Sequence, residues 1–347
     1  MTASNSPIFP GSQWQRRDPG EAGINVDAIE RIGDVMQQAS AHGVLIHKGY
    51  LVADWAFDGD ASRRFNIQSC TKAISSAVLG LALMEGRIRD LDAPVVEYFP
   101  AFDAGPYSDE ITFGQLVTAT SGVASRISPN LAWGDDYRKP GEGYRYNSDH
   151  HQHLALALTY VFQRDLEDAL RDGILQHLHI EDGFEWGRQD GRGGLATSVT
   201  LDDGREIPSV AGYFDSRWSA RDLARVGYLY LRDGVWNGRR LLPQWYVRQC
   251  RQAIDYPITT SREGKPRFLE PGESWTPRVV PASRYGLSWR GFVDEQGVIR
   301  WHMNGFGGQF CMLIPEHDLV LVKINDWERG PHMGINHFKA AIADLMA

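Results

Sequence analysis

The sequence predicts an α/β fold of the α+β type: an antiparallel sheet built from both ends of the chain, flanked by helices, with a mostly helical lobe inserted. Two observations carry this. Residues 285–326, YGLSWRGFVDEQGVIRWHMNGFGGQFCMLIPEHDLVLVKIND, read as consecutive strands, with turns at Glu295–Gly297, Gly305–Gly308 and Pro315–Asp318. Near the other end, VLIHKGYLVADWAF (Val44–Phe57) reads as two strands around a Lys48-Gly49 turn. Between them, residues 91–200 mix short helices with long polar loops. The expected division is 1–68 with 205–347 as the sheet lobe and 69–204 as the helical lobe, with the active site in the cleft between them.

The helices follow from spacing and caps. In INVDAIERIGDVMQQASAHG (Ile24–Gly43), Ile29, Ile32, Val35 and Met36 recur at helical intervals, Asn25 caps the start and Gly43 is the expected end. FNIQSCTKAISSAVLGLALMEGR (Phe65–Arg87) carries Ile74, Val78, Leu81 and Glu85 along a helix closed by Gly86. DHHQHLALALTYVFQRD (Asp149–Asp165) is the clearest helix of the middle region. SARDLARVGYLYLRDG (Ser219–Gly234) has Ser219 as cap and Asp222 at the third helical position. Pro, Gly and Ser crowd between Tyr256 and Arg284, which predicts a long loop or lid, and GINHFKAAIADLMA closes the chain as a helix.

Composition narrows the function. A net charge of −8 argues against nucleic acid or an anionic membrane as partner, since both need basic patches. No stretch approaches the roughly 18 apolar residues of a membrane span, and the N-terminus has no apolar run before its arginines. Cys70, Cys250 and Cys311 are odd in number, far apart and without CxxC or zinc spacing. The expected setting is therefore reducing and cytoplasmic.

Three stretches carry chemistry. Ser69 and Lys72 stand at i and i+3 on a first helical turn, so their side chains share a face. A serine at a helix N-terminus has its own N–H available as an oxyanion donor, and a desolvated lysine beside it can take its proton. The other reading is a solvated lysine on an ordinary helix start. In KPGEGYRYNSDHH, Tyr146 lies in a Pro-Gly loop before a helix, either as a proton relay beside a cation or as an aromatic anchor. In RWHMNGFGGQFCMLIP, glycines 305, 307 and 308 lie on or beside a strand, either for close approach of a ligand or backbone or for a bulge or tight turn.

Taken in order, these stretches resemble the serine β-lactamase and penicillin-recognising superfamily. The likeness is greatest to its class C-like branch, which includes family VIII carboxylesterases and 6-aminohexanoate-dimer hydrolases. ITFGQLVTATSGV (Ile111–Val123) is similar to the segment ahead of the tyrosine loop, YGLSW (Tyr285–Trp289) to the strand before the third motif, and GFGGQ (Gly305–Gln309) to the glycine-rich strand of amide-hydrolysing members. The likeness spans roughly residues 20–345. It implies a β-lactamase-like fold and these roles: Ser69 as acyl-forming nucleophile, Lys72 as its base, Tyr146 as proton donor to the leaving group, and the backbone N–H groups of Ser69 and Phe306 as the oxyanion hole. Asn147, Ser148, His302, Asn304, Gly305 and Trp133 are the candidate substrate contacts.

Two departures matter. The family's Tyr-x-Asn reads Tyr146-Asn147-Ser148 here, and Met303-Asn304-Gly305 stands in the register of Lys-Thr-Gly. The cation that would meet a β-lactam carboxylate is missing unless His302 or an arginine replaces it. The expected function is a serine hydrolase that cleaves a small ester or amide through an acyl-Ser69 intermediate, without metal or organic cofactor. A β-lactamase or D,D-peptidase, an acyltransferase, and an inactive scaffold of the same fold are the alternatives; a homo-oligomer is left open. His150, His151 and His153 read as a solvated helix start, because i, i+1, i+3 spacing cannot put three ligands on one face. The glycines of GRQDGRGG read as a loop with no nucleotide site. Trp133, Trp186 and Trp289 are pocket candidates, and Cys70 is expected to be buried and inert.

Overall fold

A strand buried at every position needs cover on both faces, and three strands of the main sheet (Ala41–His47, Gln309–Ile314 and Leu319–Asn325) are of that kind. The computed structural model describes residues 7–127, 137–180, 184–254, 284–294 and 297–346. Its six-stranded antiparallel sheet is formed by β1 (Ala41–His47), β2 (Tyr50–Ala56), β3 (Arg290–Val293), β4 (Ile299–Gly305), β5 (Gln309–Ile314) and β6 (Leu319–Asn325). The spatial order is β3-β4-β5-β6-β1-β2, so an N-terminal hairpin completes a C-terminal meander. β1 pairs with β6 in a register that sets Val44 opposite Val322 and Leu45 opposite Leu321.

Because side chains alternate along a strand, each strand divides between two cores. Val44, Ile46, Cys311, Leu313, Val320 and Val322 face one layer, which includes α2 (Thr71–Met84) and α4 (Ala220–Leu231). Leu45, Phe310, Met312, Ile314, Leu319 and Leu321 face the other, covered by α1 (Val26–Gln38) and a short C-terminal helix, α5 (Lys339–Ala343). The Asn25 side chain caps α1 by accepting from the Ala28 N–H, and Ser219 caps α4 through the Asp222 N–H. α3 (Asp149–Phe162) packs on α2. Among the described residues no helix is long and apolar enough to cross a membrane.

Several expectations are corrected. Gly43 does not end α1; it lies within β1. A Cβ there would come within 2.5 Å of Met36 Cε and 2.6 Å of the Val322 carbonyl oxygen, so the glycine lets α1 and β6 close on the strand. The last helix is only Lys339–Ala343, preceded by a 3-10 turn at Ile335–His337. The histidines at the start of α3 are not solvated. His150 and His151 are fully buried and His153 is nearly so. His150 is held between Ser121 Oγ (2.7 Å) and the Arg145 carbonyl (2.8 Å), and His151 Nε2 meets Ser288 Oγ at 2.6 Å. Burial pushes His150 down to about 3 and His153 to about 4, so both are neutral in the core. The loop expected at 256–284 falls almost entirely outside the described residues.

Gly43→Ala should lower the unfolding free energy by about 1–3 kcal/mol, the usual scale of overpacking. In a urea titration the midpoint moves down with little change in slope; an unmoved midpoint shows that the sheet and α1 separate freely to admit a methyl.

Candidate active site

Ser69 follows a tight reversal of the chain. Phe65–Asn66 form a short strand paired with Ser216–Trp218. Gln68 then takes a left-handed conformation, φ +52°, and its N–H is fixed by Asn66 Oδ1 at 2.8 Å. A non-glycine residue in that region is strained and persists only where surrounding contacts hold it. A 3-10 turn, Gln68–Cys70, leads straight into α2 and leaves Ser69 half-buried at the helix start.

From Thr71 to Ala82 every residue of α2 is buried, so Lys72 enters the interior. It is 2% exposed. Its Nζ donates to Ser69 Oγ at 3.1 Å and to the Tyr213 carbonyl at 3.0 Å. Burial lowers the Lys72 pKa, Tyr146 opposes that, and Arg290 adds to the lowering. A neutral Nζ at the same distance can accept the Ser69 hydroxyl proton.

Tyr146 joins this pair just ahead of α3. Lys72 Nζ lies 5.1 Å from its ring centroid. Arg290, on β3, lies 4.2 Å from the same ring and donates to Asn304 Oδ1 at 3.0 Å. Tyr285 meets the ring edge-on at 6.0 Å. Burial alone raises the phenol pKa. The charges of Lys72 and Arg290, with hydrogen bonds to Ser69 and Lys72, outweigh it and bring Tyr146 down to about 8. Lys72 and Tyr146 therefore each favour the charged form of the other, against the burial that disfavours both.

The third stretch supplies close approach. A Cβ on Gly305 would lie 2.2 Å from the Ile67 carbonyl oxygen, so the end of β4 abuts the backbone just ahead of Ser69. β4 and β5 both pack on the Gln68–Cys70 turn. Phe306 opens the 3-10 turn Phe306–Gly308 that follows.

Other candidates fall elsewhere. Asn147 is fully buried and acts as a local brace: its Nδ2 donates to the Val123 carbonyl and its Oδ1 accepts from the His150 N–H, each at 3.2 Å. Ser148 is buried at the N-cap of α3. His302 is buried and edge-on to Phe292, and burial takes it to about 3, so it cannot replace the missing cation. Trp186 and Trp289 are core residues, the first bonded to the Ala211 carbonyl at 3.0 Å. Trp133 lies outside the described residues. Cys70 is fully buried, its thiol 3.5 Å from the Gln309 carbonyl, and burial raises its pKa far out of reach. Arg290 was not among the sequence candidates. Its signal was present, one residue beyond YGLSW, but its meaning depends on the β3–β4 register that sets it opposite His302.

This ordered site has a family. The Beta-lactamase family model matches residues 29–342. The chain belongs to the β-lactamase family. It is 26% identical over 355 residues to a 6-aminohexanoate-dimer hydrolase of Paenarthrobacter ureafaciens, covering 92% of this chain and 83% of that one. A class C β-lactamase from Rhodobacter sphaeroides superposes with a TM-score of 0.59 at 17% identity, over 94% of this chain and 98% of that one. A D-stereospecific amidohydrolase from Streptomyces gives 0.57 at 18%, over 85% and 95%. At these identities the superpositions establish the shared fold, and membership makes the chain a serine hydrolase of the β-lactamase and penicillin-binding superfamily.

Arg290→Met should raise the pKa of the Lys72–Tyr146 pair, because a neighbouring positive charge that favours the proton-deficient form is gone. The acid limb of the kcat/KM profile should move up by about one unit or more. An unmoved limb means Arg290 has no electrostatic hold on Tyr146.

Proposed function

We propose that this β-lactamase-family protein is a carboxylesterase or amidase working through an acyl-Ser69 intermediate. The observation that carries the reading is the buried Lys72 ammonium, bonded to Ser69 Oγ and set against Tyr146. Buried lysines are costly, and this one faces a hydroxyl at the mouth of a helix.

In the first step Lys72, in its neutral form, takes the Ser69 proton as Oγ bonds to the carbonyl carbon. The carbonyl oxygen gains negative charge and is held by the N–H groups of Ser69 and Phe306. The tetrahedral species collapses, the C–O or C–N bond breaks, and the Tyr146 phenol protonates the departing oxygen or nitrogen. The proton held by Lys72 restores Tyr146. Water then attacks the acyl-serine, giving a proton to the same pair, and the serine leaves with a proton returned. Arg290 keeps Tyr146 easily deprotonated while Lys72 carries charge. Met303 occupies the register of the family's lysine and is fully buried in the core, which weighs against β-lactams as preferred substrates. All three cysteines are free and buried, which fits a reducing, cytoplasmic setting.

Hydrolysis of p-nitrophenyl esters of graded acyl length and of matching anilides tests this. Ser69→Ala should lower kcat by at least about 10³-fold while the fold is kept. Equal rates sink the Ser69 mechanism. A wild type inert to every ester and anilide puts the scaffold reading ahead, and cephalosporin turnover matching the ester rate favours the β-lactamase reading.

A further inference from the structure

A second lysine is buried outside the catalytic trio. Lys323, on β6, is fully buried. Its Nζ donates to Asn325 Oδ1 at 3.0 Å and to the Gly307 carbonyl at 3.3 Å. Among the described residues no carboxylate pairs with it, so its charge is compensated only by neutral acceptors. Such a group is expensive in an apolar interior. Burial lowers its pKa to about 7, and the neighbouring Cys70 thiol, the titratable group facing it, acts weakly against that.

The acceptors belong to one network. Gln309 Nε2 donates to both the carbonyl and the side-chain oxygen of Asn325, each at 2.9 Å, and the Asn325 N–H returns to Gln309 Oε1 at 2.9 Å. Asn325 Nδ2 reaches the Ala39 carbonyl at 3.2 Å. All three side chains are fully buried. Above them sits the Phe306–Gly308 turn. Gly307 has φ +76° and Gly308 φ +82°, conformations that favour glycine. A Cβ on Gly307 would meet Trp327 Cβ at 2.4 Å, and one on Gly308 would meet the Met333 carbonyl oxygen at 2.4 Å. The turn is thus pressed by residues 327–334 on one side and tethered by Lys323 on the other.

We propose that Lys323 is a positioning residue for acyl transfer: by donating to the Gly307 carbonyl it holds the Phe306–Gly308 turn in the shape that offers the Phe306 N–H to the substrate oxyanion. The proposal rests on the acyl-Ser69 reading. Without the donor the buried Gly307 carbonyl is unsatisfied, and the turn shifts to find another partner. The loss falls on the tetrahedral state, where the oxyanion donor acts, and not on ground-state binding.

The test uses the full chain with Lys323→Met, which removes donor and charge, and Lys323→Gln, which keeps an N–H donor without charge. Thermal melts establish folding. Ester kcat and KM are measured beside the inhibition constant of phenylboronic acid, whose tetrahedral serine adduct samples the oxyanion hole. Lys323→Met should lower kcat about 10–100-fold, short of the roughly 10²–10³ for deleting an oxyanion donor outright. KM should stay within about threefold, and boronate affinity should fall in step with kcat. Lys323→Gln should recover most of both. A folded Lys323→Met with kcat and boronate affinity within twofold of wild type overturns the proposal, as does a rise in KM alone or failure of both variants to fold. If the wild type shows no turnover that depends on Ser69, the acyl-serine reading fails and takes this proposal with it.

Discussion

The arrangement depends on an ammonium group taken out of water. α2 is buried on all sides from Thr71 to Ala82, and Lys72 enters the interior at its first turn. An unpaired charge there would cost several kcal/mol. The protein holds it with a serine hydroxyl, the Tyr213 carbonyl and the nearby Tyr146 phenol, none of which is a carboxylate. A carboxylate partner would stabilise the ammonium and raise its pKa. Neutral and weakly acidic partners leave the proton easy to move, which a general base requires.

The second cation, Arg290, shifts the balance further. Two like charges beside one phenol repel each other, and a negative phenolate between their fields offsets that repulsion by attracting both. Burial opposes the phenolate, but the two charges and the hydrogen bonds outweigh it and leave Tyr146 at about 8. Arg290 is anchored by Asn304, which occupies the middle position of the third motif. An arginine of the neighbouring strand thus bonds to the residue that stands where Lys-Thr-Gly has its threonine.

Backbone geometry converges on the same place. The strained Gln68 and the close contact of Gly305 with Ile67 bring two separate chain segments together without side chains between them, and the positive-φ pair Gly307-Gly308 lets Trp327 and Met333 close on the following turn. Where oxyanion donors are main-chain N–H groups, their placement is set by how closely backbones can approach. Glycine is needed where they do. The buried Gln309–Asn325–Lys323 network underlies that contact from the β5–β6 side.

Much of this was legible in local pattern. Alternation and turn residues in 285–326 marked the meander, helical spacing and caps marked α1 and α4, and the ordered serine, tyrosine and glycine stretches marked the site. These signals survive because they depend on neighbours two to four residues apart. Sequence pattern was therefore enough for the element types, the two-ended sheet and the candidate trio Ser69, Lys72 and Tyr146, which the fold brings together. Only the tertiary structure decided that Gly43 serves a strand, that three adjacent histidines are buried and neutral, that His302 lies in the core, and that Arg290 and Lys323 meet the site from β3 and β6. Those outcomes depend on strand register and on what covers each face, and both are set by contacts between residues as far apart in the chain as Lys72 and Tyr213 or Val44 and Val322.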